Sequence, residues 1–136
     1  MRILLDIDGT ICQTIVHALK LLGRDFGKSL AYDSIDDIWV TRAYGLSDDE
    51  GERWWEANEP ALYAQSKPMP WALQVVRNLQ SQHEIHIVTA REGRAKSLTE
   101  DWLRRHGFPY SSLVMDAVDK VSASREIGLD LAIEDD

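Results

Sequence analysis

Four short apolar runs, each stopping at a polar residue, constrain this chain more than any other feature. They are Ile3-Leu4-Leu5-Asp6-Ile7, Ile85-His86-Ile87-Val88 ending at Thr89, Leu113-Val114-Met115, and Leu131-Ala132-Ile133 ending at Glu134. Runs this short and apolar on both faces are what strands of a parallel sheet look like when helices cover both sides. The intervening segments supply such helices. Ala72, Val75, Val76 and Leu79 make one stripe over residues 71–81, and Ala95, Leu98, Trp102 and Leu103 make a second, closed by Gly107 and Pro109. A third helix is expected near 120–127 from Val121, Ser124 and Ile127, with Gly128 as its stop. Alternating strands and helices of this kind predict an α/β fold with a central parallel sheet.

The stretch from 11 to 68 does not fit that alternation, because it is far longer than one crossover helix needs. Ile15, Leu19, Leu22 and Phe26 predict one amphipathic helix, and Ser47-Asp48-Asp49-Glu50 reads as a capping box opening another that carries Trp54 and Trp55. Pro60 is expected to restart that helix one turn later, and Pro68 and Pro70 to close the excursion. The expectation is one domain over residues 1–136, with a small helical subdomain at 11–68 inserted into it.

Composition narrows the partners. A net charge of −8 opposes duplex nucleic acid and anionic membrane surfaces, yet permits a small anionic substrate beside a bound divalent cation. No apolar run approaches the ~20 residues of a membrane span, and the apolar start before Asp6 is too short for a signal peptide. The single Cys12 excludes an internal disulfide and fits a reducing compartment, so a soluble cytoplasmic protein is expected.

The residues at the strand ends carry the chemistry. Asp6-Ile7-Asp8-Gly9-Thr10 follows a strand directly, with Gly9 permitting a sharp turn and close approach to a ligand. Two carboxylates so close need a cation or a proton to relieve their repulsion, and Mg²⁺ is the hard, oxygen-seeking ion that suits them. Thr89-Ala90-Arg91 places a hydroxyl and backbone N–H groups at a second strand end, where a phosphoryl group or simply a helix start would use them. Lys120 opens a predicted helix, against the macrodipole, which a role in neutralising phosphate would explain. Glu134-Asp135-Asp136 follows the last strand, and reads either as the rest of an oxygen cage or as a solvated acidic tail.

In this order, an acidic pair with one spacer, then Thr, Lys and a second acidic pair, the chain resembles the haloacid dehalogenase superfamily of phosphohydrolases. Pro68-Met69-Pro70, the run to Arg91, Thr99-Glu100-Asp101-Trp102-Leu103 and Gly107-Phe108-Pro109-Tyr110 are similar to its 5′(3′)-deoxyribonucleotidase-like branch. The resemblance implies a Rossmann-like three-layer sandwich with a helical cap after the first strand. It also implies a Mg²⁺-dependent phosphatase acting through an aspartyl phosphate, with Asp6 as nucleophile, Asp8 as general acid and base, and Thr89 and Lys120 holding the transferred group. Asp6, Asp8 (through its backbone carbonyl), Glu134 and Asp135 would bind Mg²⁺, while Gly9, Thr10, Ala90 and Arg91 would line the substrate.

The insert holds Tyr32, Trp39, Tyr44, Trp54, Trp55 and Tyr63, which either form its own small core or offer a face for a nucleobase. With Trp39 as the stacking candidate, the expected substrate is a nucleoside monophosphate. The alternatives are a general small-molecule or polynucleotide-end phosphatase, or an inactive nucleotide-binding relative. A phospho-acceptor signalling domain fits poorly, since no apolar run between Thr10 and Thr89 ends in an aspartate. Two departures stand out. Trp71 occupies a position where a small residue is expected, and the chain stops on its fourth motif, where relatives continue. Carboxyl-terminal elements are therefore expected to be missing, leaving the strand at 131–133 as a sheet edge through which two copies would pair.

Overall fold

The computed structural model describes residues 1–37 and 39–135, so Asp136, the last of the acidic triplet, lies outside the described residues. Two compact units are present: Met1–Gln13 with Pro68–Asp136, and Thr14–Lys67.

The first unit is a four-stranded parallel sheet of β1 (Arg2–Leu5), β2 (Glu84–Val88), β3 (Ser112–Val114) and β4 (Leu131–Ile133), in the order β3-β2-β1-β4. Register aligns Leu5 with Ile87 and with Ile133, and Val88 with Val114, so the strands end together. Alternation then sorts side chains to two faces. Ile3, Leu5, Ile85 and Ile87 pack with Val76 of α4 (Ala72–Gln80) and with Trp102 and Leu103 of α5 (Lys96–His106). Leu4 and Val88 lie on the other face with Ala117 and with Ala123 and Ile127 of α6 (Lys120–Ile127). The result is the three-layer α/β sandwich expected from the sequence. Trp102, fully buried, stacks on Phe108 at 5.4 Å and anchors the larger layer.

The helix ends follow local chemistry. Gly107 (φ 74°) and Gly128 (φ 73°) take the left-handed conformation that ends α5 and α6. In each case the next residue, Phe108 or Leu129, donates its N–H to a carbonyl five residues back. Asp119 caps α6 by accepting from the N–H groups of Val121 and Ser122. Trp71, preceding α4, also sits at positive φ (65°), which explains why a small residue was expected there.

The insertion leaves and re-enters the sheet unit side by side. Cys12 bridges Pro68 in antiparallel fashion, Met69 N–H donates to the Ile11 carbonyl at 2.7 Å, and Gln13 Nε2 donates to the Pro68 carbonyl at 2.8 Å. A long excursion whose ends meet costs the sheet little, since loop-closure entropy grows only slowly with length.

The second unit is helical: α1 (Thr14–Phe26), α2 (Val40–Ala43) and α3 (Asp48–Gln65). Both arms of the capping box form, with Ser47 Oγ accepting from Glu50 N–H and the Glu50 carboxylate accepting from Ser47 N–H. The expected restart at Pro60 does not occur, and α3 runs unbroken from Asp48 to Gln65 with Pro60 inside it. A proline removes one hydrogen bond at a cost of about 3 kcal/mol, and burial of Glu59, Leu62 and Tyr63 around it holds the helix through that defect. Among the described residues no helix is long and apolar enough to cross a membrane.

Candidate functional site

Strand order decides where the site lies. From β1 the chain moves outward through β2 to β3, then β4 returns to the other side of β1. The reversal falls between β1 and β4, and open α/β sheets usually bind ligands outside the carboxyl ends of the strands at such a point. Asp6 and Asp8 leave the end of β1, Glu134 and Asp135 leave the end of β4, and Thr89 leaves β2. The sheet unit therefore supplies all of the catalytic and metal-binding candidates named from the sequence.

Asp6 extends the β1–β4 ladder by donating its N–H to the Ile133 carbonyl at 3.1 Å. The chain then turns tightly, with the N–H groups of Thr10, Ile11 and Cys12 all donating to the Ile7 carbonyl. Gly9 makes this possible at φ 81°, and a Cβ there would overlap the Asp135 carboxylate. The two motifs are thus in van der Waals contact through the backbone of Gly9. Thr10 Oγ1 is buried in this turn with no hydrogen-bond partner among the described residues.

Lys120 stands between the strand ends. Its Nζ lies 3.1 Å from Asp6 Oδ1 and 3.3 Å from Glu134 Oε1. A cation at the first turn of α6, unfavourable for the helix, is explained by this pairing. Burial works against the ammonium, but the two carboxylates outweigh it and raise the Lys120 pKa. Asp6 moves the same way for another reason. Burial pushes its pKa from an ordinary 3.8 to about 6, and the Lys120 charge only partly offsets that. Perturbation of this kind is common at functional sites.

Thr89 is fully enclosed, and its Oγ1 accepts from the Arg91 N–H at 3.2 Å, leaving the hydroxyl proton to be donated. The turn is clamped from the loop after β3: Ala117 N–H donates to the Thr89 carbonyl and Asp116 N–H to the Arg91 carbonyl. Both Asp116 carboxylate oxygens accept from Gly93 N–H, with Asp116 itself at φ 58°. Sequence reading missed Asp116, because an aspartate after a weak strand carries no signal of what it will face. Ala90 is exposed beside this turn.

Arg91 does not point outward. Its side chain is 1% exposed and forks onto Asp8, Nε to Oδ2 at 3.0 Å and Nη2 to Oδ1 at 2.6 Å. Nη1 donates to Thr99 Oγ1 on α5. Among the described residues, no three His, Cys, Asp or Glu side chains stand close enough together to hold an ion by themselves.

In the helical unit, Tyr63 is buried and accepts from Trp55 Nε1 at 3.0 Å, while Trp54 Nε1 donates to Asp25 at 2.9 Å. Tyr44 packs on Phe26 at 6.2 Å. Four of the six aromatics thus have internal partners, whereas Trp39 (59% exposed) and Tyr32 (56%) present open faces.

Known proteins resemble this chain along its whole length. The family model described as 5′ nucleotidase, deoxy (Pyrimidine), cytosolic type C protein matches residues 1–136. A "Putative nucleotidase" of Halalkalibacterium halodurans is 30% identical over 132 residues, covering 96% of this chain and 67% of that protein. The chain spans 60% to 70% of the length of the curated relatives it matches. Among solved structures, a haloacid dehalogenase-like family hydrolase from Streptococcus pneumoniae superposes with a TM-score of 0.64 at 17% identity, over 96% of this chain and 72% of that one. A protein of the same superfamily from Bacillus subtilis, bound to magnesium, does so with a TM-score of 0.54 at 19% identity, over 94% and 66%.

Proposed function

We infer the function from a premise of kinship: the chain belongs to the 5′ nucleotidase, deoxy (pyrimidine), cytosolic type C family, nucleotidases of the haloacid dehalogenase superfamily. We propose that it hydrolyses a small phosphomonoester, a (deoxy)nucleoside monophosphate, through an aspartyl phosphate on Asp6. The observation that carries this reading is Lys120 Nζ held between Asp6 and Glu134 at the strand-order reversal, with Thr89 at the adjoining strand end.

In the first step an Asp6 oxygen attacks phosphorus while the ester P–O bond breaks, and Asp8 gives a proton to the departing alkoxide. In the second, water attacks the phosphorus of the aspartyl phosphate, Asp8 takes the water's proton, and inorganic phosphate leaves Asp6 free. Splitting the displacement lowers each barrier. Phosphoryl transfer mainly requires positioning and charge stabilisation. The Lys120 ammonium, the Thr89 hydroxyl and the Ala90 N–H supply donors for the equatorial oxygens.

The residues fit Mg²⁺. The donors are all hard oxygens from Asp6, Asp8 (its carbonyl), Glu134 and Asp135. The raised pKa of Asp6 marks a buried charge that a nearby cation would stabilise. When bound, it would neutralise charge on the phosphoryl group and on Asp6.

We assign the helical unit, expected from the sequence as a cap, to base selection. Trp39 is the candidate stacking surface, worth roughly 1–3 kcal/mol per stacked base.

The test is phosphate release from 5′- and 3′-mononucleotides and from sugar phosphates, with Mg²⁺ or chelator, in the native chain and in Trp39→Ala. Preference for mononucleotides, with KM raised about tenfold by Trp39→Ala on those substrates alone, supports the assignment. Equal rates on sugar phosphates would remove the nucleotide from it.

A further inference from the structure

We infer that Arg91 is the positioning residue of Asp8, a part in the reaction different from the substrate contact expected for it from the sequence. The inference rests on the function proposed above, because it concerns how that reaction's proton donor is held.

The guanidinium is used up on protein. Nε and Nη2 form two near-parallel bonds to the two Asp8 oxygens, at 3.0 and 2.6 Å. Nη1 donates to Thr99 Oγ1 at 3.1 Å, and that hydroxyl in turn donates to the Ala95 carbonyl at 2.8 Å. The backbone is fixed as firmly, with the Arg91 N–H on Thr89 Oγ1 and its carbonyl accepting from Asp116 N–H at 2.8 Å. With its side chain 1% exposed, Arg91 offers no face to a phosphate or a base.

Asp8, by contrast, has a side chain 31% exposed. A carboxylate has about four lone-pair directions, and the fork uses one on each oxygen. Asp8 sits immediately before Gly9, whose φ of 81° makes this a tight turn, and its carboxylate would otherwise choose among rotamers. Proton transfer requires hydrogen-bond reach of the leaving oxygen, and a misplacement near 1 Å costs on the order of 10²-fold in rate. A charged pair with its arginine enclosed is a poor device for stability, since desolvation of the guanidinium offsets much of the Coulomb gain. It is a good device for setting the direction of one carboxylate. Arg91 thus joins the strand-end turn that carries Thr89 to the acid that follows β1, by way of α5.

The experiment compares leaving groups. An alkoxide from a nucleoside monophosphate needs a proton as it departs, whereas p-nitrophenolate leaves without one. Because kcat/KM reports only the steps through the first irreversible one, it isolates phosphoryl transfer from the later hydrolysis. Arg91→Gln should lower kcat/KM for a nucleoside 5′-monophosphate by roughly 30- to 100-fold, and for p-nitrophenyl phosphate by less than about threefold. Arg91→Lys keeps the charge but not the fork, and should fall between. Thr99→Val, which removes the partner of Nη1 together with that hydroxyl's bond to the Ala95 carbonyl, should show the same selectivity at a few-fold level. In an Asp8→Asn background, Arg91→Gln should add no further selectivity. Equal losses on both substrates would overturn the inference, since a phosphate contact or a purely structural role affects them alike. No loss on either would also overturn it. If Arg91→Gln does not fold, the Arg91→Lys and Thr99→Val ratios decide the question. Failure of the native chain to hydrolyse either substrate counts against the proposed function instead.

Discussion

Replacing Asp6 by asparagine should abolish turnover and at the same time stabilise the metal-free protein. Burial raises the Asp6 pKa from 3.8 to about 6 in the folded chain, so the native state holds its proton more tightly than the unfolded state does. That difference corresponds to roughly 3 kcal/mol. The contribution is fully present below about pH 4, where both states are protonated. It is lost as pH rises through about 6, because folding then requires an ionised Asp6 in a site that disfavours it. Asparagine is nearly isosteric and never ionises, and Lys120 keeps Glu134 at 3.3 Å as its partner. In chelator-treated buffer, Asp6→Asn should therefore exceed the native chain in unfolding free energy by up to about 3 kcal/mol at about pH 8, shrinking to about 1 kcal/mol near pH 4.5. Urea unfolding at the two pH values, followed by circular dichroism, measures both differences. Saturating Mg²⁺ should narrow the gap at pH 8 by stabilising only the native carboxylate. A variant less stable than the native chain at pH 8, with a difference that ignores pH, is the contrary result. It would mean that the Lys120 ion pair, not burial, dominates the energy of Asp6.

Three further outcomes are expected. Lys120→Met leaves Asp6 and Glu134 without their shared cation, and should lower kcat about 10²- to 10³-fold in steady-state assays with KM changed much less. Gly9→Ala places a methyl group on the Asp135 carboxylate at a backbone angle of φ 81°, so Mg²⁺-dependent activity should fall at least tenfold and thermal unfolding should show a loss of about 1–3 kcal/mol. Trp71→Gly relieves a left-handed tryptophan that is 78% exposed and should raise stability by roughly 1 kcal/mol in denaturant titrations, with activity unchanged.

The sheet was legible because burial on both faces leaves a plain mark, namely short and largely apolar runs such as Ile3–Leu5 and Ile85–Val88. The strand ends then supplied the site, since Asp6, Thr89 and Glu134 follow directly on those runs. Boundaries shifted by a residue or two: β1 begins at Arg2 and stops at Leu5, and β3 at Ser112 and Val114. Hydrogen bonding, unlike hydropathy, does not end with the apolar residues. Pro60 misled because local propensity was overridden by burial of its neighbours in α3. Arg91 exposes a different limit. An arginine at a strand end can face a ligand or a neighbouring carboxylate equally well, and only the three-dimensional approach of Asp8, 83 positions earlier, decides between them. Which of the insert's aromatics remain exposed was hidden for the same reason, because pairs such as Trp55 with Tyr63 are set by packing within the helical unit.

Phosphorylation of Asp6 during turnover is the step on which the proposed reaction depends. Its most direct test is acid quenching of the chain during turnover of a nucleoside monophosphate with Mg²⁺, followed by mass analysis of the peptide that contains Asp6 and Asp8. A phosphoryl group on Asp6, absent without Mg²⁺ and absent in Asp6→Asn, is the result expected. Phosphate release that continues in Asp6→Asn, with no phosphorylated peptide at any time point, would contradict the account.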